Sequence, residues 1–187
     1  MDSFAIRSYL DAVTHLNNLP ISDHREWFFH HGMLFLSRAK WWADFGTRHA
    51  MHEGLDIALF RNRAGGIQWL DTTTRVPAMA GGVVINVCND FLGRSVIVKH
   101  AQDEVSRLVS VYSHITVPTG VVPGTRVEEG EVIGQIADTT GKKSGIHCHL
   151  HISIMEIANR IPDRDITWEI MGEPDLKGVK LYNPMVW

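Results

Sequence analysis

From residue 75 to residue 157 the chain is written in short β-branched runs separated by glycine and proline: VVINV, RSVIVKH, LVSVYSHI, VIGQI and HCHLHISI. Runs of this kind, bounded by turn formers, predict strands. No helical stripe intervenes between them. The closely spaced strands therefore predict a mainly β protein with an antiparallel sheet or sandwich core, not alternating βαβ units. The chain before this region reads differently. Phe4, Ile6, Leu10, Val13 and Leu16 approximate a helical stripe, Leu19-Pro20 breaks it, and Ser22 or Asp23 can cap a second helical segment. That segment carries Trp27, Phe28, Phe29, Phe35, Trp41, Trp42 and Phe45. They predict a packing face, with a substrate-binding or lid role as the other use of such residues. The expected division is an N-terminal helical appendage over residues 1–45 and a β domain over residues 46–187. Within the latter, the polar stretch between Phe60 and Thr74 reads as a loop, and the proline-containing tail from residue 158 as a surface wrap.

A chain of 187 residues with 44% hydrophobic and 21% charged residues has the balance of a globular protein. At this size it needs no disulfide framework, and nothing pairs Cys88 with Cys148. The formal charge of -3, with no long basic run, argues against a dedicated nucleic-acid binder. No apolar run approaches the roughly 18 residues of a membrane span. The start, MDSFAIRSYLDAV, lacks the basic end and apolar core of a secretory signal. Export would require a targeting segment outside this chain or already removed.

Histidine is the skewed residue type: there are eleven, and some cluster. In His147-Cys148-His149-Leu150-His151, alternation along a strand would put the three imidazoles on one face at steps of about 7 Å. Packing alone hardly explains such a trio, so metal binding or catalysis is expected. A second cluster is Arg48-His-Ala-Met-His52-Glu-Gly54-Leu-Asp56. His52 and Asp56, with Gly54 allowing the backbone to bend between them, can converge on one cation. Two neutral imidazoles and a carboxylate would leave Zn²⁺ with a net charge of +1 and an open position, as in a catalytic site. The helical H-E-x-x-H motif is not matched, because the fifth residue is Asp56 and Gly54 is a poor helix former. A third piece, Tyr112-Ser113-His114, ends a β-like run and means little alone.

In order along the chain, these pieces resemble the lysostaphin/LytM-type zinc endopeptidases of bacterial cell walls. Phe45-Gly46-Thr47-Arg48 and His52-Glu-Gly54-Leu-Asp56 look like the family's F-G-x-R and H-x-G-x-D. The stretch Arg75 to Val84 is similar to its proline and small-residue segment, Gly93 to His100 to its G-x-x-V-x-V-x-H, and Tyr112 to His114 to its Tyr-x-His. The run GTRVEEGEVIGQI (124 to 136) resembles its glycine-punctuated hairpin, and TGKKSGIHCH (140 to 149) its T-G-x-x-x-G-x-H-x-H. The resemblance covers residues 45 to about 155, with Asn183-Pro184 fitting a later proline. It implies a LytM-like duplicated-hybrid-motif β fold and a Zn²⁺-dependent metalloendopeptidase that hydrolyses peptidoglycan cross-link peptides, in the periplasm or secreted.

The same resemblance implies roles. His52, Asp56 and the second histidine of the last motif would bind the metal. His114 and the first histidine of that motif would handle the proton of the attacking water and the developing oxyanion. Counting from Gly141 and Gly145 makes His147 catalytic and His149 the ligand, with His151 where the family usually has glutamate. Matching the letters H-L-H instead makes His149 catalytic and His151 the ligand, at the cost of a two-residue insertion. The ungapped count is the expectation taken forward: metal His52, Asp56 and His149; catalytic His114 and His147. His100 matches a family histidine expected only to support the site. One of His15, His24, His30 and His31, or Asn17 or Asn18, could reach the metal as an inhibitory prodomain does. Two other functions are weighed. A catalytically silent LytM-like module would bind or activate other wall hydrolases. A lipoyl-type carrier would need a lysine at the hairpin tip, which GTRVEEGEVIGQI lacks.

Overall fold

The computed structural model describes residues 6–171 and 178–186. It opens with α1 (Ile6–Leu16), whose buried face is Tyr9, Leu10, Val13 and Thr14. Phe4, the first residue of the expected stripe, lies outside the described residues. The helix stops where Asn18 adopts a positive φ of 49°, and Leu19 N–H reaches back to Thr14 O at 3.1 Å. This closes the last turn before Pro20. Tyr9 Oη then donates to Pro77 O at 3.1 Å, and Asn17 brackets the backbone of Arg75. The helix is thereby fastened to the sheet.

The second expected helix does not form. Residues 21–45 are an irregular strap containing β1 (Trp27–Phe28) and one 3₁₀ turn at His31–Met33. Arg25, Leu36, Ala43 and Phe45 all take positive φ, which no α-helix of L-residues accommodates. Its aromatics pack one at a time: Trp27 on Phe60, Trp41 on Trp69. Tyr9, Leu10, Val13 and Ile21 share one core with the strands.

The strands that follow are β2 (Leu55–Ile57), β3 (Leu59–Arg61), β4 (Ile67–Trp69), β5 (Arg75–Pro77), β6 (Gly82–Asn89), β7 (Arg94–Gln102), β8 (Ser106–Thr116), β9 (Arg126–Val127), β10 (Val132–Ile136) and β11 (Leu150–Ala158). After a four-residue helix, α2 (Trp168–Met171), comes β12 (Val179–Tyr182). The main sheet runs β12-β11-β8-β7-β6-β9, with β2 added to β11 and β10 joining β5 to β8. Every pairing is antiparallel. A small sheet, β1-β3-β4, branches from the end of β2. The stretch between Phe60 and Thr74 is thus a hairpin, with Gly65 turning at a φ of +86°. Likewise the tail contributes β12 to the sheet edge; its residues 172–177 lie outside the described residues.

Alternation divides the apolar residues between two faces. Val96, Val98, Tyr112, Ile152 and Ile154 look into the larger core, under α1. Ile97, Val109, Val111, Met155 and Ile157 look into a second core covered by Ile166, Ile170 and Met171. Along this second face the chemistry changes at one end. On β7 Ile97 gives way to Ser95, on β8 Val111 to Ser113, and on β11 Met155 to Ser153 and then His151. All four polar residues are buried. The candidate site lies at that polar end.

Candidate metal centre

His52, Asp56 and His151 meet there, each at most 3% exposed, with one potential ligand atom apiece and all three atoms within 4.8 Å of one another. Asp56 on β2 and His151 on β11 are Cα partners in the ladder, so strand register alone makes them neighbours. His52 enters from the irregular chain before β2. Gly54 lets that chain come close: a Cβ there would lie 2.2 Å from Ile152 O and 2.7 Å from His151 Nε2.

The hydrogen-bond pattern decides what the group can hold. His52 Nδ1 lies 3.1 Å from Leu34 O, so Nδ1–H donates outward and Nε2 is left as a lone pair. His151 Nε2 pairs with Ser153 Oγ at 2.8 Å, and its Nδ1 faces inward. Asp56 Oδ1 stands 3.0 Å from His52 Nε2 and 2.8 Å from His151 Nδ1, and the two nitrogens are 3.0 Å apart. With Ser153 Oγ accepting from His151 Nε2–H, all three inward atoms are lone-pair donors, a set that suits a cation placed among them. Tetrahedral zinc with ligands at about 2.0 Å spaces those ligands roughly 3.3 Å apart, a small outward relaxation from these distances. The residues fit the ion.

Around the group, each remaining polar atom is fixed. Asp56 Oδ2 accepts from Trp41 Nε1 at 2.6 Å and from Arg48 Nη2 at 3.5 Å. Burial opposes ionisation of Asp56, but His52, His149 and His151 outweigh it and hold the carboxyl well below its ordinary range. Burial pushes His151 down, and His149 down to about 3, so both imidazoles are neutral near pH 7.

His149 and His114 flank the group. His149 Nδ1–H donates to His147 O at 2.8 Å, leaving Nε2 as a lone pair 3.6 Å from Asp56 Oδ1. The His114 ring lies 4.9 Å from that of His149 and 5.7 Å from that of His151. It is aimed by backbone distortion: the β7–β8 register shifts between Arg94 and Val96, and His114 takes a φ of +64°. Asp90 holds this costly conformation with both carboxylate oxygens, Oδ2 on His114 N–H and Oδ1 on Nδ1, each at 2.9 Å. The same bonds hold the Asp90 carboxyl well below its ordinary range despite burial. Phe91 and Trp168 wall the cleft, the Trp168 ring being 5.0 Å from both His114 and His151. The cleft is about 280 Å³, with Arg48 and Trp42 on its rim.

His147 is elsewhere. It is exposed, its ring 4.3 Å from Trp69, because the chain bends at Cys148 and β11 begins only at Leu150. The strand alternation expected for the trio does not extend back to it. His100 pairs with Gly81 O and Ser110 Oγ in a different cleft. Asn17 bonds to Val13 O and Arg75 O, and His30 Nδ1 accepts from Gly32 N–H. Sequence reasoning missed Asp90, which reads as an ordinary turn residue between Asn89 and Gly93. It also passed over the roles of Trp41 and Trp168.

The model of Peptidase family M23 matches residues 50–162, well over half of the chain, spanning His52, Asp56, His114, His149 and His151. The chain belongs to peptidase family M23. Among curated proteins no relative matches this M23 chain. Similar solved structures include a mutant catalytic domain of the prophage-encoded M23 protein EnpA from Enterococcus faecalis. It is 20% identical, with a TM-score of 0.43 over 73% of this chain and 84% of that one. Lysostaphin is 18% identical, with a TM-score of 0.44 over 75% of this chain and 48% of its own. A zinc-containing peptidase from Vibrio cholerae is 16% identical, with a TM-score of 0.44 over 90% of this chain and 39% of that one. This M23 chain thus spans under half the length of the latter two. Trp168 follows the matched span, and Trp41 precedes it.

Proposed function

We propose that this M23 protein is a zinc metalloendopeptidase that hydrolyses cross-link peptides of the bacterial cell wall, working in the cell envelope. One observation carries the reading: His52, Asp56 and His151 are buried with one potential ligand atom each within 4.8 Å of one another, beside two further imidazoles whose Nδ1 atoms are engaged elsewhere. His52 Nε2, Asp56 Oδ1 and His151 Nδ1 are the proposed ligands; their mutual distances of 2.8 to 3.0 Å favour His151 over His149 as the third. The register with a two-residue insertion follows, and His147 has no part in the reaction. Zinc held by this set would acidify a water molecule and polarise the carbonyl of the bond to be cut.

The chain's own groups supply the rest. His149 Nε2, a lone pair because Nδ1–H is committed to His147 O, takes the proton of the attacking water. The positive charge that this puts on His149 is balanced by Asp56 Oδ1 at 3.6 Å. His114, whose ring Asp90 holds at Nδ1, is placed to stabilise the carbonyl oxygen as that oxygen gains charge. Trp168 and Phe91 exclude water on that side of the cleft.

The test is elemental analysis of metal, run beside release of amines from purified cell wall, on the wild type and single variants. About one zinc per chain is expected in the wild type and in His149→Ala, and little in His52→Ala, Asp56→Ala or His151→Ala. Hydrolysis should fall below detection in all four variants. Zinc lost with His149→Ala but kept with His151→Ala would overturn the ligand assignment. Full zinc without hydrolysis in the wild type would turn the reading to a silent binding module.

A further inference from the structure

The small sheet ends in an open edge beside the metal group. In the β3–β4 hairpin, Asn62 N–H bonds to Gly66 O at 2.8 Å and Leu70 N–H to Ala58 O at 2.7 Å, with Phe60 opposite Gln68 in the same register. Antiparallel pairs alternate, so Gln68 turns its N–H and C=O toward β3 while Ile67 and Trp69 turn theirs away. The other edge of β3 is already taken: Arg61 N–H bonds to Glu26 O at 2.9 Å, and β1 pairs there. Among the described residues nothing pairs with the outward backbone groups of β4. The strand carries no proline or charged side chain of the kind that usually guards an edge. Ile67 is 59% exposed and Trp69 39%.

This edge is continuous with the site. Leu70, next to Trp69, is bonded to Ala58, which follows Asp56 by two residues. The Trp69 ring stacks on Trp41 at 6.0 Å, and Trp41 in turn holds Asp56. Its other neighbour, His147, is two residues from His149. Resting on the reading of this protein as an endopeptidase, we infer that β4 is the substrate-docking strand. An extended stretch of uncharged peptide adds to the free edge of Ile67–Trp69 as a further strand and is led by Trp69 into the metal cleft. Two outward N–H and two outward C=O groups suit about three residues of peptide. So short an edge offers far less than the roughly 1,000 Å² on which two folded copies would associate stably.

Amide hydrogen exchange tests this without needing turnover. The probe is soluble cross-linked peptide released from bacterial cell wall, added to zinc-loaded His114→Ala protein so that it is not consumed. The Ile67 and Trp69 amides should slow at least about tenfold on saturation, while Gln68, already bonded to β3, should change little. Binding without protection at those two amides, or no binding up to millimolar peptide, overturns the inference. Protection that grows with protein concentration in the absence of peptide assigns the edge to a second copy, and also overturns it. In the active protein Ile67→Pro removes one outward N–H without touching the β3 ladder. It should raise KM about 2- to 10-fold with kcat and zinc content kept, as expected for one hydrogen bond, whereas Ile67→Val should not. If the wild type hydrolyses nothing yet these amides are protected, the peptidase reading fails and the docking edge stands.

Discussion

Asp56 divides its work between two oxygens, one facing the imidazoles and the other taken by Trp41 Nε1 and Arg48. The indole fixes the rotation of the carboxylate, so Trp41→Phe, which keeps the ring and removes the donor, should weaken zinc binding about 10- to 100-fold. Competition with a chelating dye measures that loss, and an unchanged circular dichroism spectrum would show that the fold survives. Asp90 plays the corresponding part for His114. Asp90→Asn leaves an acceptor but removes the charge behind Nδ1. It is expected to cut kcat on the order of 10²-fold while the zinc content stays constant. Equal loss of kcat and zinc would instead mean that Asp90 supports the whole cleft.

At the scale of elements, the close approach of β2 to β11 is the vulnerable joint. Gly54→Ala would drive a methyl group against Ile152 O and His151, costing about 1 to 3 kcal/mol in urea denaturation and abolishing metal uptake. The sequence made much of this sheet legible, because β6, β7, β8, β10 and β11 are runs rich in β-branched residues bounded by turn formers. His52, Asp56 and His114 were also readable, each within a short motif. What was hidden depended on irregular backbone. The bend at Cys148 decides which histidines face inward, and no residue type there announces it. The aromatic strap of residues 21–45 looks helical by composition. Its path is instead set by separate contacts such as Trp27 with Phe60 and Trp41 with Asp56, which are invisible until the partners are placed. The hairpin over β3 and β4 was obscured by arginine and glycine, which read as loop when the strand faces solvent.

For the whole molecule, burying neutral imidazoles couples stability to pH. His149 is lowered to about 3 and His151 is lowered as well, so between about pH 3 and 6.5 the unfolded chain binds more protons than the folded one. Their contribution is complete above about pH 6.5 and is lost as pH falls through that window, by up to about 1.4 kcal/mol per pH unit for each group. The depressed carboxyls of Asp56 and Asp90 act further down: their contribution is present above about pH 4 and lost as pH falls through their lower folded values. Metal-free protein should therefore show a denaturation midpoint that drops steadily from pH 6.5 to pH 5; a flat profile would mean that these rings are hydrated. The ligand set also has a span. Asp56 and His151 are 95 positions apart, yet they are partners in one ladder. On a ribosome adding about 5 to 20 residues per second, the first two ligands wait roughly 5 to 20 s for the third. With the proposed ligands, a nascent chain would offer zinc only His52 and Asp56. On the proposed ligand set, the order of synthesis would defer firm metal capture until β11 has been made and docked.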